Sequence, residues 1–453
     1  MKASPNLTFS SGFKRLLRVI AVLNGVIAIK RVGESFFPPE IYRKDFIQEY
    51  LMAKAILSGV NPYLRLPDLA AIWVSYANNY NALKHPTPHP PVVGLLSLPF
   101  GFLSYKAAAV IWLIFELACL SASVLLLLRW WGKPIKAGTA AALFGVALGW
   151  APVVEELWLG QLSSCLLLLL LGAWFALRAE KNLVAGAMLG GLIALKMTAW
   201  PIVIFLALRR KWNGVIAAAS VVIAANLLAM VVLGIDCVKN YYLEVGPQVA
   251  SIYLSHDTNF STWTLGRRLF AGFGYNFWAP PLWSSTSLTL LFTYLTPAIV
   301  FLLGLRIALK ARNFDTSFGL LVGVGILVGP IAWSHYLMLA SIPIAIIARR
   351  LWEMRYPRKL SYTAFGLWLP VSFVGASYSF ITTLFAGHST REGIPIVPFA
   401  VAMMTLIPAV ALLGLLWIVW RSDEIKLTQD DNAANRKGRV TATQAPNIII
   451  QKL

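Results

Sequence analysis

Long apolar runs recur along this chain from Leu16 to Trp420, and nothing else in the sequence constrains its fold as much. Leu288–Leu309, Ala107–Leu128 and Ala400–Trp420 each approach the ~20 residues that a helix needs to cross a hydrocarbon core. Composition points the same way: 58% of residues are hydrophobic and 13% charged, where an ordinary soluble domain carries about 25% charged residues. A soluble chain of 453 residues would need far more charge to cover its surface. Lipid is therefore the solvent for most of this one, and the expected fold class is an all-α polytopic membrane protein.

The apolar pattern predicts twelve spans, at 16–31, 91–104, 107–128, 138–154, 162–178, 184–208, 213–234, 288–309, 317–334, 336–348, 361–383 and 397–420. An even number puts both termini on one side, and the basic start favours the cytoplasm. The first segment, Leu16–Ile29, lies beside Lys14, Arg15 and Arg18 like a signal sequence. No small-residue cleavage site follows, so it reads as a retained helix. The net charge of +20 reads as cytoplasmic loops rich in Lys and Arg rather than as a nucleic-acid surface. Arg209, Arg210 and Lys211 fit that rule, as do Arg306, Lys310, Arg312 and the cluster from Arg349 to Lys359. Arg129, Lys133, Lys136, Arg178 and Lys181 then fall outside. Making 91–104 a non-spanning segment and 184–208 a bent hairpin is the alternative, and it keeps the parity.

Residues 1–420 read as one transmembrane domain with two long outer loops, 34–90 and 235–287, rich in Trp, Tyr, Phe, Asn and Pro. Aromatic side chains of that kind favour the headgroup level. Phe46–Leu57 reads as a short helix lying along the interface, with weak amphipathicity. The polar tail 421–453 is expected to be a disordered cytoplasmic segment. There is no internal repeat. The cysteines Cys119, Cys165 and Cys237 show neither metal spacing nor a disulfide framework.

Ionisable residues near membrane depth are costly, which makes each a functional candidate. Asp45, in Tyr42-Arg43-Lys44-Asp45-Phe46, could deprotonate a hydroxyl group as a general base; the bland alternative is a solvated aspartate paired with Lys44 or Arg43. His335 sits at the break Gly329-Pro330-Ile331-Ala332-Trp333-Ser334-His335-Tyr336. Lys196, inside the run that ends at Pro201, either snorkels to an interface or meets an anion such as a lipid phosphate. Arg267 and Arg268 offer planar forks for a phosphate, or anchor their loop to headgroups. His85 and His89 lie on a proline-rich stretch without a carboxylate cluster, and metal binding is rejected there.

Four stretches give the chain a resemblance to glycosyltransferase family 87, a branch of the membrane-embedded type C glycosyltransferases. They are Asp45-Phe46 with Ala53 and Gly59-Val60-Asn61-Pro62-Tyr63; His89-Pro90-Pro91 with Leu98-Pro99; Gly160-Gln161 with Ala185-Gly186 through Lys196; and Asn259 to Arg267 with Pro330 to Tyr336. The family more often has Tyr where His89 stands. The resemblance implies a type C-like bundle of about twelve transmembrane helices with short interfacial helices in the outer loops. It also implies an inverting transferase in a bacterial inner membrane, with its site facing the periplasm or cell exterior. The implied donor is a polyprenyl-phosphate sugar, most often mannose, with arabinofuranose open. The acceptor is a glycolipid or polysaccharide. On the family pattern Asp45 is the base and His335 shares the site, while Gln161, Lys196, Asn259 and Arg267 meet donor phosphate or sugar. No cofactor or metal is implied, and the partners are membrane lipids, donor and acceptor rather than nucleic acid. A transporter or flippase, and a non-catalytic scaffold, are the rival readings.

Overall fold

The computed structural model describes residues 11–74, 85–132, 137–354, 357–372, 380–385, 390–391 and 393–443. Its elements are helical almost throughout. Among the described residues the sole strand pair is Thr390–Arg391 against Ile394–Pro395, antiparallel.

The amino-terminal helix α1 (Ser11–Glu34) leads into the first loop, which folds as α2 (Phe46–Leu57) and α3 (Leu66–Trp73). Then come α4 (Pro91–Ser97), α5 (Tyr105–Trp131), α6 (Ala137–Leu148), α7 (Ala151–Leu159), α8 (Ser163–Arg178), α9 (Asn182–Leu195), α10 (Trp200–Leu208) and α11 (Trp212–Leu233). The second loop holds the short helices α12 (Ile235–Asn240), α13 (Gly246–Tyr253) and α14 (Leu265–Phe270). The rest of the bundle is α15 (Thr286–Lys310), α16 (Phe314–Val328), α17 (Ser341–Glu353), α18 (Arg358–Ser372) and α19 (Ile407–Thr443).

Among the described residues four helical stretches are long and apolar enough to cross a membrane: α5, α11, α15 and Phe399–Ile425, the last including the start of α19. The α6–α7 pair, bent by 68°, makes a fifth if counted as one span. The α11 surface shows why these belong in lipid: Leu227, Leu228 and Val231 stand exposed, Val231 at 82%, and no water-facing helix would carry such a face.

This is not the row of twelve continuous spans expected, and the reason lies in helix breaks. Residues 91–104 form only α4 and a 3₁₀ turn at Leu98–Phe102. Residues 184–208 divide at Lys196–Ala199, where Pro201 then fixes the start of α10. The alternative with a short 91–104 and a broken 184–208 describes these segments better. α8 has 16 residues and α9 has 14, about 24 and 21 Å of rise against a core of about 30 Å. α16 stops at Val328 before Gly329-Pro330, and a 3₁₀ turn at Ser334–Ala340 precedes α17. Of the expected span 361–383, residues 373–379 lie outside the described residues.

Two further expectations change. α2 has the predicted bounds, but nine of its residues are buried, so it is enclosed by protein instead of lying on a membrane surface. Its apolar residues are spread around the helix with no continuous polar face, the pattern of a buried helix. α19 runs to Thr443, so the tail expected to be disordered begins as a continuation of the last helix; residues 444–453 are not among the described ones.

Helix packing is close where side chains are smallest. α9 lies along α11, and a Cβ on Gly186 would come within 2.0 Å of the Gly214 carbonyl oxygen. Small residues permit such backbone approach in lipid, where packing drives helix association.

Candidate active site

Asp45 stands at the junction between the first loop and α2. The ring of the next residue, Phe46, is fully buried and packs against Phe100, Tyr105 and Trp112 at centroid distances of 5.6, 6.3 and 5.0 Å. That aromatic anchor fixes the start of α2. On the other side Lys44 is buried, and its Nζ donates to Ser35 Oγ at 2.9 Å, to the Leu157 carbonyl at 3.2 Å and to the Trp158 carbonyl. A cation suits the carbonyl-rich end of α7. Lys44 thereby clamps the loop to α7, and Arg43 is engaged with Glu40 at 2.8 Å. Neither cation forms an ion pair with Asp45 among the described residues, so the solvated-pair alternative fails.

The clamp brings α7's end to Asp45. Gly160 closes α7 with φ +72°, and a Cβ there would lie 2.9 Å from Phe46 Cβ. Glycine thus meets both the left-handed turn and the close approach. The next residue, Gln161, is buried and donates from Nε2 to Asp45 Oδ2 at 2.8 Å. Burial raises the Asp45 carboxyl above its ordinary value, against the pull of the Gln161 hydrogen bond and the positive charges of Lys196 and Lys44.

Asp45 and Gln161 line a cavity of about 990 Å³ that also takes in Lys196, His335, His89 and Glu155. Lys196 caps α9 at the break before α10, and its Nζ sits 3.9 Å from the centre of the Tyr336 ring. This cation–π contact holds the ammonium without neutralising it. His335 is buried with neither ring nitrogen hydrogen-bonded among the described residues. Both nitrogens are unengaged and enclosed by protein, on a residue that lines the cavity. Tyr253, His256 and Trp333 add an aromatic part to the lining, with Tyr253 and His256 each edge-on to Trp333 at 5.3 and 5.0 Å. A cavity with a half-buried carboxylate, an ammonium, an imidazole and edge-on aromatic rings suits a sugar with an attached anion.

Two expected residues do other work. The Asn259 side chain is fully buried and does not line the cavity. It donates to the Tyr253 and Pro330 carbonyls at 3.0 and 3.1 Å and accepts from the backbone N–H of Ser261 and Ala332 at 3.0 and 2.9 Å. It therefore staples the second loop to the 330–332 segment. Arg267 also lies off the cavity, donating to Ser255 Oγ at 3.1 Å and Ser251 Oγ at 3.3 Å. Its neighbour Arg268 is wholly buried and donates to Thr264, Thr405 and the carbonyls of Asp257 and Asn259. Every nitrogen of that fork is spent inside the protein.

Sequence reasoning passed over Glu155 and the pair Glu49–His89. His89 lines the cavity with its Nε2 3.1 Å from Oε1 of the fully buried Glu49. Burial pushes the Glu49 carboxyl up to about 8 and holds the His89 imidazole down at about 3. Both shifts favour the uncharged form of each partner. No group of three or more possible metal ligands occurs among the described residues.

Residues 88–330 match the model of glycosyltransferase family 87. Two curated relatives, each named an alpha-(1->3)-arabinofuranosyltransferase and found in Mycobacterium tuberculosis strains CDC 1551 / Oshkosh and ATCC 25618 / H37Rv, are each 25% identical over 272 residues. Those residues make up 59% of this chain and 60% of each relative. No solved structure matches. The matched region holds Gln161, Lys196 and most of the cavity wall, and it is more than half of the sequence: the chain belongs to glycosyltransferase family 87.

Proposed function

We propose that this membrane glycosyltransferase takes a sugar from a polyprenyl-phosphate donor on the outer face of the membrane and attaches it to a hydroxyl of a glycolipid or polysaccharide. The observation that carries this reading is the Asp45 carboxylate, held by Gln161 at 2.8 Å on the wall of a cavity that also receives Lys196 and His335. Asp45 takes the proton of the acceptor hydroxyl. The acceptor oxygen attacks the anomeric carbon from the face opposite the phosphate, the carbon–phosphate oxygen bond breaks, and the configuration inverts. The leaving phosphate keeps the electron pair, and the Lys196 ammonium stabilises it; fixed charge aimed at developing charge is where such catalysis gains most. His335 contacts phosphate or sugar hydroxyls through its unengaged nitrogens. Gln161 holds the base in place.

The named activity of the two relatives favours arabinofuranose as the sugar, and mannose is the second donor to test. The deciding experiment measures transfer by the purified chain from synthetic polyprenyl-phosphate arabinofuranose and polyprenyl-phosphate mannose to a panel of glycolipids. Asp45→Asn should lower the rate by roughly 10²–10⁴, the usual contribution of a general base, with an unchanged melting temperature. Equal rates would remove Asp45 from that role. Transport of labelled lipid without a new glycosidic bond would replace the reading with the flippase.

A further inference from the structure

A second cleft, of about 1020 Å³, opens at the far ends of α8 and α16 from the cavity, where Arg178 and Asp315 lie. Seven cations line it against three carboxylates, Glu180, Asp315 and Glu353. Two of those carboxylates are already engaged: Asp315 by Arg178 and by Trp174 Nε1 at 3.0 Å, and Glu353 by Arg349 at 3.0 Å. Arg350 is turned to Asp423 at 3.4 Å and to Thr316 at 2.5 Å. Arg209, Lys211, Lys310 and Arg312 remain exposed, with no ion pair among the described residues.

These four come from two different turns. Arg209 and Lys211 flank the α10–α11 turn, and Lys310 and Arg312 flank the α15–α16 turn. The two turns are joined by Arg209, whose Nη2 donates to the Leu309 carbonyl at 2.6 Å. Among the described residues the two non-glycines with left-handed backbone, Glu180 (φ 56°) and Arg210 (φ 57°), lie in the turns beside this cleft. Backbone of that kind persists where the surrounding structure fixes it. Cations that merely hold a membrane orientation can spread over the loops; here they converge on one concavity and repel one another. Apolar side chains also line it: Leu309 and Phe314 are half-buried, and Leu177, Phe205, Leu206 and Ile346 are buried behind them.

A cationic rim over an apolar wall fits an amphiphile with a phosphate head, and basic pockets between membrane helices hold such headgroups elsewhere. We propose that this cleft binds the phosphate of an anionic membrane lipid between Arg209/Lys211 and Lys310/Arg312, with the start of an acyl chain against the half-buried Leu309 and Phe314. The site is separate from the sugar-transfer cavity and shares none of its lining residues.

The test titrates the full chain, in a nonionic detergent, with phosphatidylglycerol, phosphatidylcholine and inorganic pyrophosphate, counting bound ligands by native mass spectrometry. Phosphatidylglycerol is expected to bind at least about tenfold tighter than phosphatidylcholine. Each cation near an anionic lipid contributes about fivefold, so Lys211→Gln/Lys310→Gln/Arg312→Gln should weaken phosphatidylglycerol on the order of a hundredfold. All three side chains are exposed, so the melting temperature should hold. Arg15→Gln/Arg18→Gln, which removes exposed cations of α1, should leave the affinity unchanged. Equal binding of the two lipids, undiminished binding by the triple variant, or an equal loss in the α1 variant would each overturn the proposal. Pyrophosphate binding lost in the triple variant, with no lipid bound, would overturn the lipid and leave a soluble phosphate compound as the occupant.

Discussion

Replacing Gln161 with Leu roughly keeps the volume of the side chain and removes its hydrogen bond to Asp45, leaving that of Gln48 in place. The bond at 2.8 Å favours the ionised carboxylate, while burial works in the opposite direction. A hydrogen bond to a charged group contributes roughly 1.5–3 kcal/mol, and about 1.36 kcal/mol corresponds to one pKa unit. Asp45 is half-buried, so water replaces part of the lost bond and the lower end applies, about one unit. The sign follows from which form gains: losing a partner of the charged form makes the proton harder to remove. A base must be deprotonated to act, so the acidic limb of kcat/KM should move to higher pH by about one unit. Below the limb Gln161→Leu should be about tenfold slower than wild type, and well above it the two should converge. Initial rates of the purified chain in detergent, from about pH 5 to pH 9, with whichever synthetic donor is active, measure this. A limb that stays in place, or that moves to lower pH, would refute Asp45 as the titrating base. So would an identical limb in the residual activity of Asp45→Asn.

Three other substitutions test separate parts of the reasoning. Lys196→Met should lower kcat by roughly 10²–10³ if the ammonium stabilises the leaving phosphate, and Lys196→Arg should recover part of the loss; a change confined to acceptor KM would contradict that role. Asn259→Ala removes four buried hydrogen bonds and should destabilise the protein by several kcal/mol at about 1 kcal/mol or more each, read as a fall in melting temperature with donor KM unchanged. A tenfold rise in donor KM at an unchanged melting temperature would return Asn259 to the donor site. Gly186→Val puts a Cβ within 2.0 Å of the Gly214 carbonyl, so α9 and α11 must separate at a cost of about 1–3 kcal/mol or more; thermal scanning that shows no change would contradict the close packing.

The sequence made Asp45 legible because a carboxylate followed by an aromatic residue and a Gly-Val-Asn-Pro-Tyr turn forms a local pattern. Lys196 was legible from the cost of a charge inside an apolar run. The same rule, applied to acids, would have singled out Glu116, Glu155 and Glu156, which stand inside equally apolar stretches; Glu116 and Glu156 are indeed buried and Glu155 lines the cavity. A motif does not tell which way a side chain turns: Asn259 and Arg267 match in position, yet one staples backbone and the other meets two serines. The burial of α2 was invisible because its apolar residues run around the whole helix, and a pattern without a polar face does not distinguish lipid from protein as its surroundings.

The missing continuous spans and the existence of the cavity have one cause. An apolar run records how much chain prefers lipid, and says little about where the helix within it stops. Three stops occur in this chain close to one another in space: α7 to α8 at Gly160-Gln161, α9 to α10 at Lys196–Ala199, and α16 to its following 3₁₀ turn at Gly329–Trp333. Each delivers a polar side chain to the cavity that Asp45 lines: Gln161 at the first, Lys196 at the second and His335 at the third. Irregular backbone at membrane depth is tolerated where it is buried in protein or lines a cavity, and Asn259 takes up the carbonyl of Pro330 and the N–H of Ala332 at the third stop. The polar groups that a broken helix leaves behind thus come to surround the cavity. A fold of unbroken spans would have kept Gln161, Lys196 and His335 on separate helix faces, where the carboxylate of Asp45 would have neither the Gln161 donor nor the Lys196 ammonium within the same enclosure.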